Sequence, residues 1–307
     1  MTVDILMATY NGDKYLRNQL LSLQQQSYQN WILWIRDDGS TDNTLQIISE
    51  FIQFDCRMKK IEQNTGQCLG AGRSFFELAK YGNADFVIFC DQDDVWFEKK
   101  LEFLIDTATK KFDTTLPCLV YCDAYGYSDR EGVITIQSIS QFHAKKLEEF
   151  LFFNAGYQGC SILFNRTLAN MIRAYRAEYY YMHDDVVSLI GHVFGKVYFL
   201  PKCLMLYRQH SSNVTGNISN GFFTKLKRLI STDNYVLSKM HYKEKKVFFE
   251  AYMYEMDIKT RRLFIAYLNY PKEKMIGRLW LIILHGFSIG GYKIPLIVKT
   301  LLRRPIE

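Results

Sequence analysis

Phe89-Cys90-Asp91-Gln92-Asp93-Asp94-Val95-Trp96 decides how this chain is read. An apolar run from Asp85 to Cys90 stops in three carboxylates within four residues. The run reads as a buried strand and the acids as its exposed C-terminal end. Asp91 and Asp93 stand two apart, so in extended backbone their side chains point the same way. Two converging hard oxygen donors suit Mg2+ or Mn2+, which commonly takes a phosphate as a further ligand. The same acids also suit a simpler part: Asp94 precedes a helical pattern over Phe97 to Lys110 and can cap it. On this stretch alone both readings stand.

Working outward, the first 110 residues alternate strand and helix. Strands are expected at 2–8, 31–36, 85–90 and 119–123, and helices at 14–26, 42–54, 71–81 and 97–111. That alternation predicts an α/β fold with a mostly parallel sheet covered by helices on both faces. Ligands in such sheets bind beyond the carboxyl ends of the strands. The first strand ends in Ala8-Thr9-Tyr10-Asn11-Gly12, the second in Arg36-Asp37-Asp38-Gly39-Ser40-Thr41-Asp42, and the third in the acids at 91–94. One cleft can gather all three.

Further on, the pattern predicts a hairpin over 125–137, a short helix over 145–153 and a strand at 162–164. Helices at 167–179 and 184–194 and strands at 197–200 and 205–207 follow. Beyond Gly216 the chain turns helical, basic and aromatic. A boundary at 216–222 divides it into a domain over 1–216 and a C-terminal region over 217–307. Residues 217–307 hold 17 Lys and Arg against 7 Asp and Glu, while residues 1–216 hold 21 against 25. The basic excess, with Lys225-Leu226-Lys227-Arg228 and Arg303-Arg304 in it, fits solvated helix faces or attraction to an anionic membrane or lipid diphosphate. Leu279 to Val298 is the most apolar segment, but His285, Gly286, Gly290, Gly291, Lys293 and Pro295 make it a poor spanning helix. A surface-lying amphipathic helix pair is favoured, with plain core packing as its rival. Seven cysteines without metal or redox spacing read as reduced core thiols in a cytoplasmic protein. Met1 leads straight into a strand bearing Asp4, and no signal peptide is read there.

The strand-end motifs Ala8-Thr9-Tyr10-Asn11, Asp37-Asp38-Gly39-Ser40-Thr41-Asp42 and Asp91-Gln92-Asp93, in that order, resemble the family 2 glycosyltransferases. These are inverting enzymes of GT-A fold, a Rossmann-like nucleotide-binding architecture, and the resemblance runs over residues 1 to 216. It implies that Asp93 binds the metal, Mn2+ or Mg2+, and that Asp91 lies nearer the ribose or sugar. Thr9, Tyr10, Asn11, Asp38, Arg73, Gln92 and Asp94 then hold the nucleotide sugar. Asp38 can accept from a pyrimidine N3–H, although Asp-Gly-Ser is also good turn chemistry. Arg73 follows Asn64-Thr65-Gly66 and Gly72 in the family's phosphate-side pattern. Tyr181-Met182-His183-Asp184-Asp185 matches the place of the family's base, which puts Asp184 first and Asp185 second for taking the acceptor proton; N-capping and helix-dipole roles are the plain alternatives. Rhamnosyltransferase-like members often read His-Asp-Trp-Trp there, whereas this chain reads His-Asp-Asp-Val-Val. Tyr207-Arg208-Gln209-His210 resembles a further element whose His completes the metal shell or touches the diphosphate.

The resemblance implies transfer from a nucleotide-diphosphate sugar, dTDP-rhamnose or a UDP-hexose, to a glycan or lipid-linked glycan at the inner face of the cell membrane. Peripheral membrane contact through the C-terminal region and homo-oligomers fit that picture. Two other enzyme classes call for different residues after the first strand. A sugar-phosphate nucleotidyltransferase needs a Gly-rich basic loop after the first strand, and a dinucleotide oxidoreductase needs Gly-x-Gly-x-x-Gly there. Neither is present at 8–12. An inactive assembly scaffold is the non-enzyme reading, but the acids at 93, 184 and 185 are in place. The scattered cations argue against nucleic acid as a partner.

Overall fold

The computed structural model describes residues 1–61, 68–140, 143–153, 156–210 and 234–307. Val3–Thr9 (β1), Trp31–Asp37 (β2), Met58–Lys60 (β3) and Phe86–Cys90 (β4) are parallel neighbours in the order β3-β2-β1-β4. Their connections run through Asp13–Gln24 (α1), Thr44–Phe54 (α2) and Ala71–Leu78 (α3). β1 and β4 are apolar throughout their middles because helices cover both of their faces. Val3, Ile5 and Met7 pack into one core with α1 and α2, and Leu6 into the other with α3.

Past β4 the sheet becomes mixed, where a mostly parallel one was expected. Ile162–Asn165 (β8) runs antiparallel between β4 and Cys118–Ser128 (β6). Lys196–Gln209 (β9) lies parallel on the far side of β6. The short Val95–Trp96 (β5) pairs antiparallel with β9, and Val133–Ile136 (β7) closes the expected hairpin on β6. β3 and β5 escaped the sequence because three and two residues cannot display a period. The two strands expected at 197–200 and 205–207 are one, β9, which passes Pro201 with a shift of register against β6. Lys100–Lys111 (α4) begins six residues after Asp94, so Asp94 does not cap it. Leu147–Phe150 (α5) is a single turn, and Arg166–Ala174 (α6) stops short of Tyr179. All seven cysteines are free, yet Cys56 and Cys68 are exposed and Cys203 half-buried, so these three are not core thiols.

The expected boundary at 216–222 and the run Lys225–Arg228 lie outside the described residues, as does Asn64-Thr65-Gly66. After them come Tyr235–Leu237 (β10), Lys239–Tyr252 (α8), Ile258–Asn269 (α9), Met275–His285 (α10), Lys293–Leu302 (α11) and Arg304–Ile306 (β11). β11 pairs with β10 and ties the end of this region to its start. Phe248, Phe264, Tyr267, Ile282 and Leu296 enter the same core as Leu6, Phe89 and Phe164 of the sheet. The segment 279–298 is broken between α10 and α11 by Gly286 in the left-handed region, at φ 72°. Among the described residues no helix is long and apolar enough to cross a membrane.

One buried polar junction places the helix His183–Phe194 (α7). Glu244 of α8, wholly buried, accepts from the backbone N–H groups of Tyr181 and Met182 at 2.8 and 3.0 Å. Its neighbour Lys245, also wholly buried, donates to the Phe153 carbonyl at 2.9 Å and meets Asp185 of α7 at 3.4 Å. His241 Nδ1 lies 3.0 Å from the same Asp185 oxygen. Gly156 lets the preceding loop press on α7; a Cβ there would stand 2.6 Å from Asp185 N. Removing one side of a buried ion pair leaves a charge out of water, which costs roughly 3–5 kcal/mol. Lys245→Met is therefore expected to lose about that much in urea unfolding. The double variant Lys245→Met/Asp185→Asn should recover most of it, because the orphaned charge is gone. Equal stability of Lys245→Met and the parent would refute the junction.

Candidate active site

The parallel pairing of β1 with β2 and β4 brings the three strand ends to one edge. There the loops lace together. Asn11 Oδ1 accepts from Thr41 N at 2.9 Å, and Asn11 N donates to Ser40 Oγ at 2.9 Å. The Gln92 amide pairs with both main-chain groups of Tyr10, at 2.9 and 3.0 Å. Asn11 and Gln92, expected as donor contacts, thus spend these polar groups joining the loops. The Tyr10 ring is half-exposed beside them. Thr9 Oγ1 donates to Asp37 Oδ1 at 2.9 Å, and Asp37 also accepts from Ser40 N at 2.8 Å.

Asp38 is buried and heavily engaged. Leu69 N and Gly70 N donate to it at 2.7 and 2.8 Å, and the buried Arg36 guanidinium pairs with it. Burial alone would raise its pKa, but the Leu69 amide, Arg36 and the Gly70 amide together hold it below the usual carboxylate value. Asp38 therefore anchors the segment that leads into α3. A base contact would compete with these bonds. Arg73 sits exposed in the first turn of α3, its guanidinium 5.9 Å from the Tyr180 ring centroid. Gly72 allows that turn to approach closely, since a Cβ would stand 2.5 Å from the Tyr181 carbonyl oxygen.

At the end of β4 the acids divide. Asp93 Oδ2 and His210 Nε2 lie 2.8 Å apart, with both side chains partly open to solvent. Adjacent ligands of a six-coordinate divalent cation with ~2.1 Å bonds stand about 3 Å apart, so this oxygen and nitrogen pair fits the expected metal. Asp91 and Asp94 form a different group, with the Cys160 thiol, all within 4.8 Å. Burial, then the charge of Asp93, lifts Asp91 to about 6. Asp94 is lifted well above its usual value by burial and by the charges of Asp93 and Asp91. Burial also keeps the Cys160 thiol protonated, which makes it a poor ligand. In this second group Asp91 is half-buried, while Asp94 is only 1% exposed and accepts from Arg208 N at 3.1 Å.

Two cations that the sequence reading passed over steady these acids. Lys100 is wholly buried, donates to the Cys160 carbonyl at 2.7 Å and stands 3.6 Å from the Trp96 ring centroid. Arg208 donates from Nε to the Asp93 carbonyl at 2.7 Å and from Nη1 to Asp129 Oδ1 at 2.6 Å. It stood inside the quoted 207–210 motif, so a signal was present. Lys100 gave none, because a lysine in an amphipathic helix reads as solvated.

Asp184, the second residue of α7, is 8% exposed. Burial, then the charge of Asp185, raises its pKa to about 8, and the charge of Asp91 adds in the same direction. Asp91 and Asp184 thus sense each other across poorly hydrated space. Asp185, the second base candidate, is wholly buried. Burial would raise its pKa, but Lys245 and His241 outweigh that and hold it low. It serves the α8 junction and has no exposed surface for an acceptor. His241, Glu244 and Lys245 were missed because the run 243–246 reads as a solvated basic face. Yet 241, 244, 245, 248, 249 and 252 form an i, i+3, i+4, i+7, i+8, i+11 stripe, which marks the inward side of α8. His183, stacked 4.0 Å from Phe75, is buried and its pKa is pushed down to about 3, so it is neutral packing behind the acids.

Comparisons with known proteins agree with this architecture. Over 246 residues the chain is 32% identical to the dTDP-rhamnosyl transferase RfbG of Shigella flexneri, covering 73% of this chain and 78% of that one. It is 27% identical over 237 residues to the UDP-Glc:alpha-D-GlcNAc-diphosphoundecaprenol beta-1,3-glucosyltransferase WfgD of Escherichia coli, covering 74% and 83%. Among solved structures, S. aureus TarS 1–349 in complex with UDP-GlcNAc shares the fold at a TM-score of 0.58 and 15% identity, covering 96% and 90%. The mannosyltransferase PcManGT of Pyrobaculum calidifontis, in complex with GDP-Man and Mn2+, does so at 0.53 and 14%, covering 97% and 86%. The sequence profile described as Glycosyl transferase family 2 matches residues 4–171, more than half the chain. On that match and the RfbG identity, the chain belongs to glycosyl transferase family 2.

Proposed function

We propose that this glycosyltransferase moves a rhamnosyl or hexosyl unit from a pyrimidine-diphosphate donor to a hydroxyl of a lipid-linked or cell-surface glycan, at the inner face of the cell membrane. The observation that carries the reading is the Asp93–His210 pair, 117 positions apart in sequence and 2.8 Å apart in space. It lies at the edge where parallel α/β sheets bind nucleotides. RfbG supports a dTDP-rhamnose donor, WfgD a UDP-hexose and a diphosphoundecaprenol-linked acceptor.

Asp93 and His210 would hold a divalent cation, Mn2+ or Mg2+, which supplies charge neutralisation to the departing diphosphate. Tyr10 and Arg73 remain the donor contacts at this edge, and Thr9, buried and bonded to Asp37, joins the engaged Asp38, Asn11 and Gln92 in shaping the loops around them. Asp184 takes the proton of the acceptor hydroxyl. The freed oxygen attacks the anomeric carbon as the bond to the diphosphate oxygen breaks, and the nucleoside diphosphate leaves with the electron pair. Configuration inverts in that single displacement, and no covalent sugar–enzyme intermediate forms. A base with a pKa near 8 is matched to a weakly acidic alcohol better than an ordinary carboxylate would be. Asp185 and the α8 residues keep Asp184 in place.

Two outcomes test this. Asp93→Asn should lower metal-dependent nucleotide release from dTDP-rhamnose or UDP-glucose by ~10²-fold or more while the melting temperature holds. Undiminished release would remove Asp93 from the reaction. The pH dependence tests Asp184. A base must be ionised, and its folded pKa is raised to about 8, so the rate should climb through neutrality and level off above that value. Linkage has the opposite sign for stability: the native state binds this proton more tightly, so stability from Asp184 falls as pH rises from its unfolded value near 3.8 through about 8. Asp184→Asn should therefore abolish turnover and, in melts above pH 8, stabilise the fold relative to the parent. A flat rate profile between pH 6 and 9 in the parent would argue against Asp184 as base.

A further inference from the structure

α10 and α11, consecutive and packed together, turn little of themselves inward: Ile282, Leu296 and Thr300 are their only buried residues. Their outward faces are apolar. On α10 the exposed apolar positions are Ile276, Trp280, Ile283 and Leu284, with Ile276 83% and Trp280 62% exposed, and Met275 beside them at the helix start. On α11 they are Ile294, Val298, Leu301 and Leu302, with Ile294 72% exposed. Both sets follow i, i+4, i+7, i+8, which places each on a single helix face. Tyr292, 72% exposed, stands in the turn between them. Scattered exposed apolar residues are ordinary, but two full stripes on adjoining helices are not.

We propose that this helix pair docks the enzyme on an anionic phospholipid bilayer, lying in the interface with both stripes turned into it. Two observations select a membrane over a second copy of the chain. Residues 271–307 hold seven Lys and Arg against two Glu, and Lys272, Lys274, Lys293 and Arg304 are exposed beside the stripes. A rim of net positive charge repels its own copy and attracts anionic headgroups. The aromatic groups exposed there, Trp280 and Tyr292, are the types that settle at the headgroup level. The helices are 11 and 10 residues long, so the pair lies on the bilayer and does not span it. The connecting turn also reaches toward the junction behind Asp184. Ile289 and Gly290 line a small cavity with His143, Ala144 and Phe153, and Phe153 in turn receives Lys245 of the junction behind Asp184. Docking there would hold the base near acceptors carried on lipid. That purpose rests on the proposed reaction; the binding itself does not.

The full chain is to be floated with phosphatidylcholine vesicles containing one third phosphatidylglycerol, and with phosphatidylcholine vesicles alone. Binding to the first and at least tenfold weaker binding to the second is the expected result. The triple variant Ile276→Gln/Trp280→Gln/Ile283→Gln changes only exposed residues, so its melting temperature and its nucleotide release without vesicles should match the parent, while its vesicle binding falls at least tenfold. Brominated lipids should quench tryptophan emission in the parent and not in Trp280→Phe. Absence of binding to anionic vesicles, or full binding by the triple variant, overturns the inference. So does a dimer in sedimentation that the same variant dissolves, since the stripes would then be covered by a second copy. A chain that binds the vesicles but releases no nucleotide supports docking and refutes the proposed reaction, which keeps the two failures apart.

Discussion

Carboxylates crowded out of water at the end of β4 and the start of α7 set the terms for everything around them. Asp91, Asp93, Asp94 and Asp184 feel one another through poorly hydrated space, and they cannot all be charged unless cations stand close. The chain supplies these from separate segments. Lys100 comes from α4, Arg208 from β9 and Lys245 from α8. Each cation also donates to, or stacks on, a neighbouring element, so neutralising the acids and packing the fold are one construction. The acids accordingly separate into kinds. Asp93 stays open and paired with an imidazole, Asp185 is charged and sealed, and Asp184 is pushed toward neutrality. That separation is what a site needs if one acid is to hold a cation and another to move a proton.

The C-terminal helices serve both their faces. Inward, α8 fixes the first turn of α7 through Glu244 and Lys245, and the aromatic residues of α8 and α9 complete the core on that side of the sheet. Outward, α10 and α11 present apolar stripes that no described segment covers. The basic charge noted along this region therefore has two fates. Lys245 is buried against Asp185, while Lys274 and Lys293 remain in solvent beside the stripes. Composition alone treats these lysines as equivalent, although their energetic roles are opposite.

The strand–helix alternation of the first 111 residues was legible because each element there carries its own period and its own stop. The acids at 91–94 stood out for the same local reason: three carboxylates abruptly end an apolar strand. The loops were read less well. Asn11, Asp38 and Gln92 have the residue types of ligand contacts, and the structure uses their side chains to join neighbouring loops and to cap the approach to α3. Asp94 has the type and position of a helix cap, yet α4 starts later and Asp94 turns inward to Arg208 N.

By itself the sequence determined the α/β alternation, the polar strand ends, the family and a short list of acids, because these follow from patterns a few residues long. Only the tertiary structure decided how each acid is buried, partnered and charged. Asp184 and Asp185 are adjacent and chemically identical, and no local rule separates them. A lysine and a histidine 60 and 56 positions away seal one of the two, and burial without a partner cation raises the other. A carboxylate's charge state is set by dielectric and by neighbours within a few ångströms, and those neighbours are brought together by the fold.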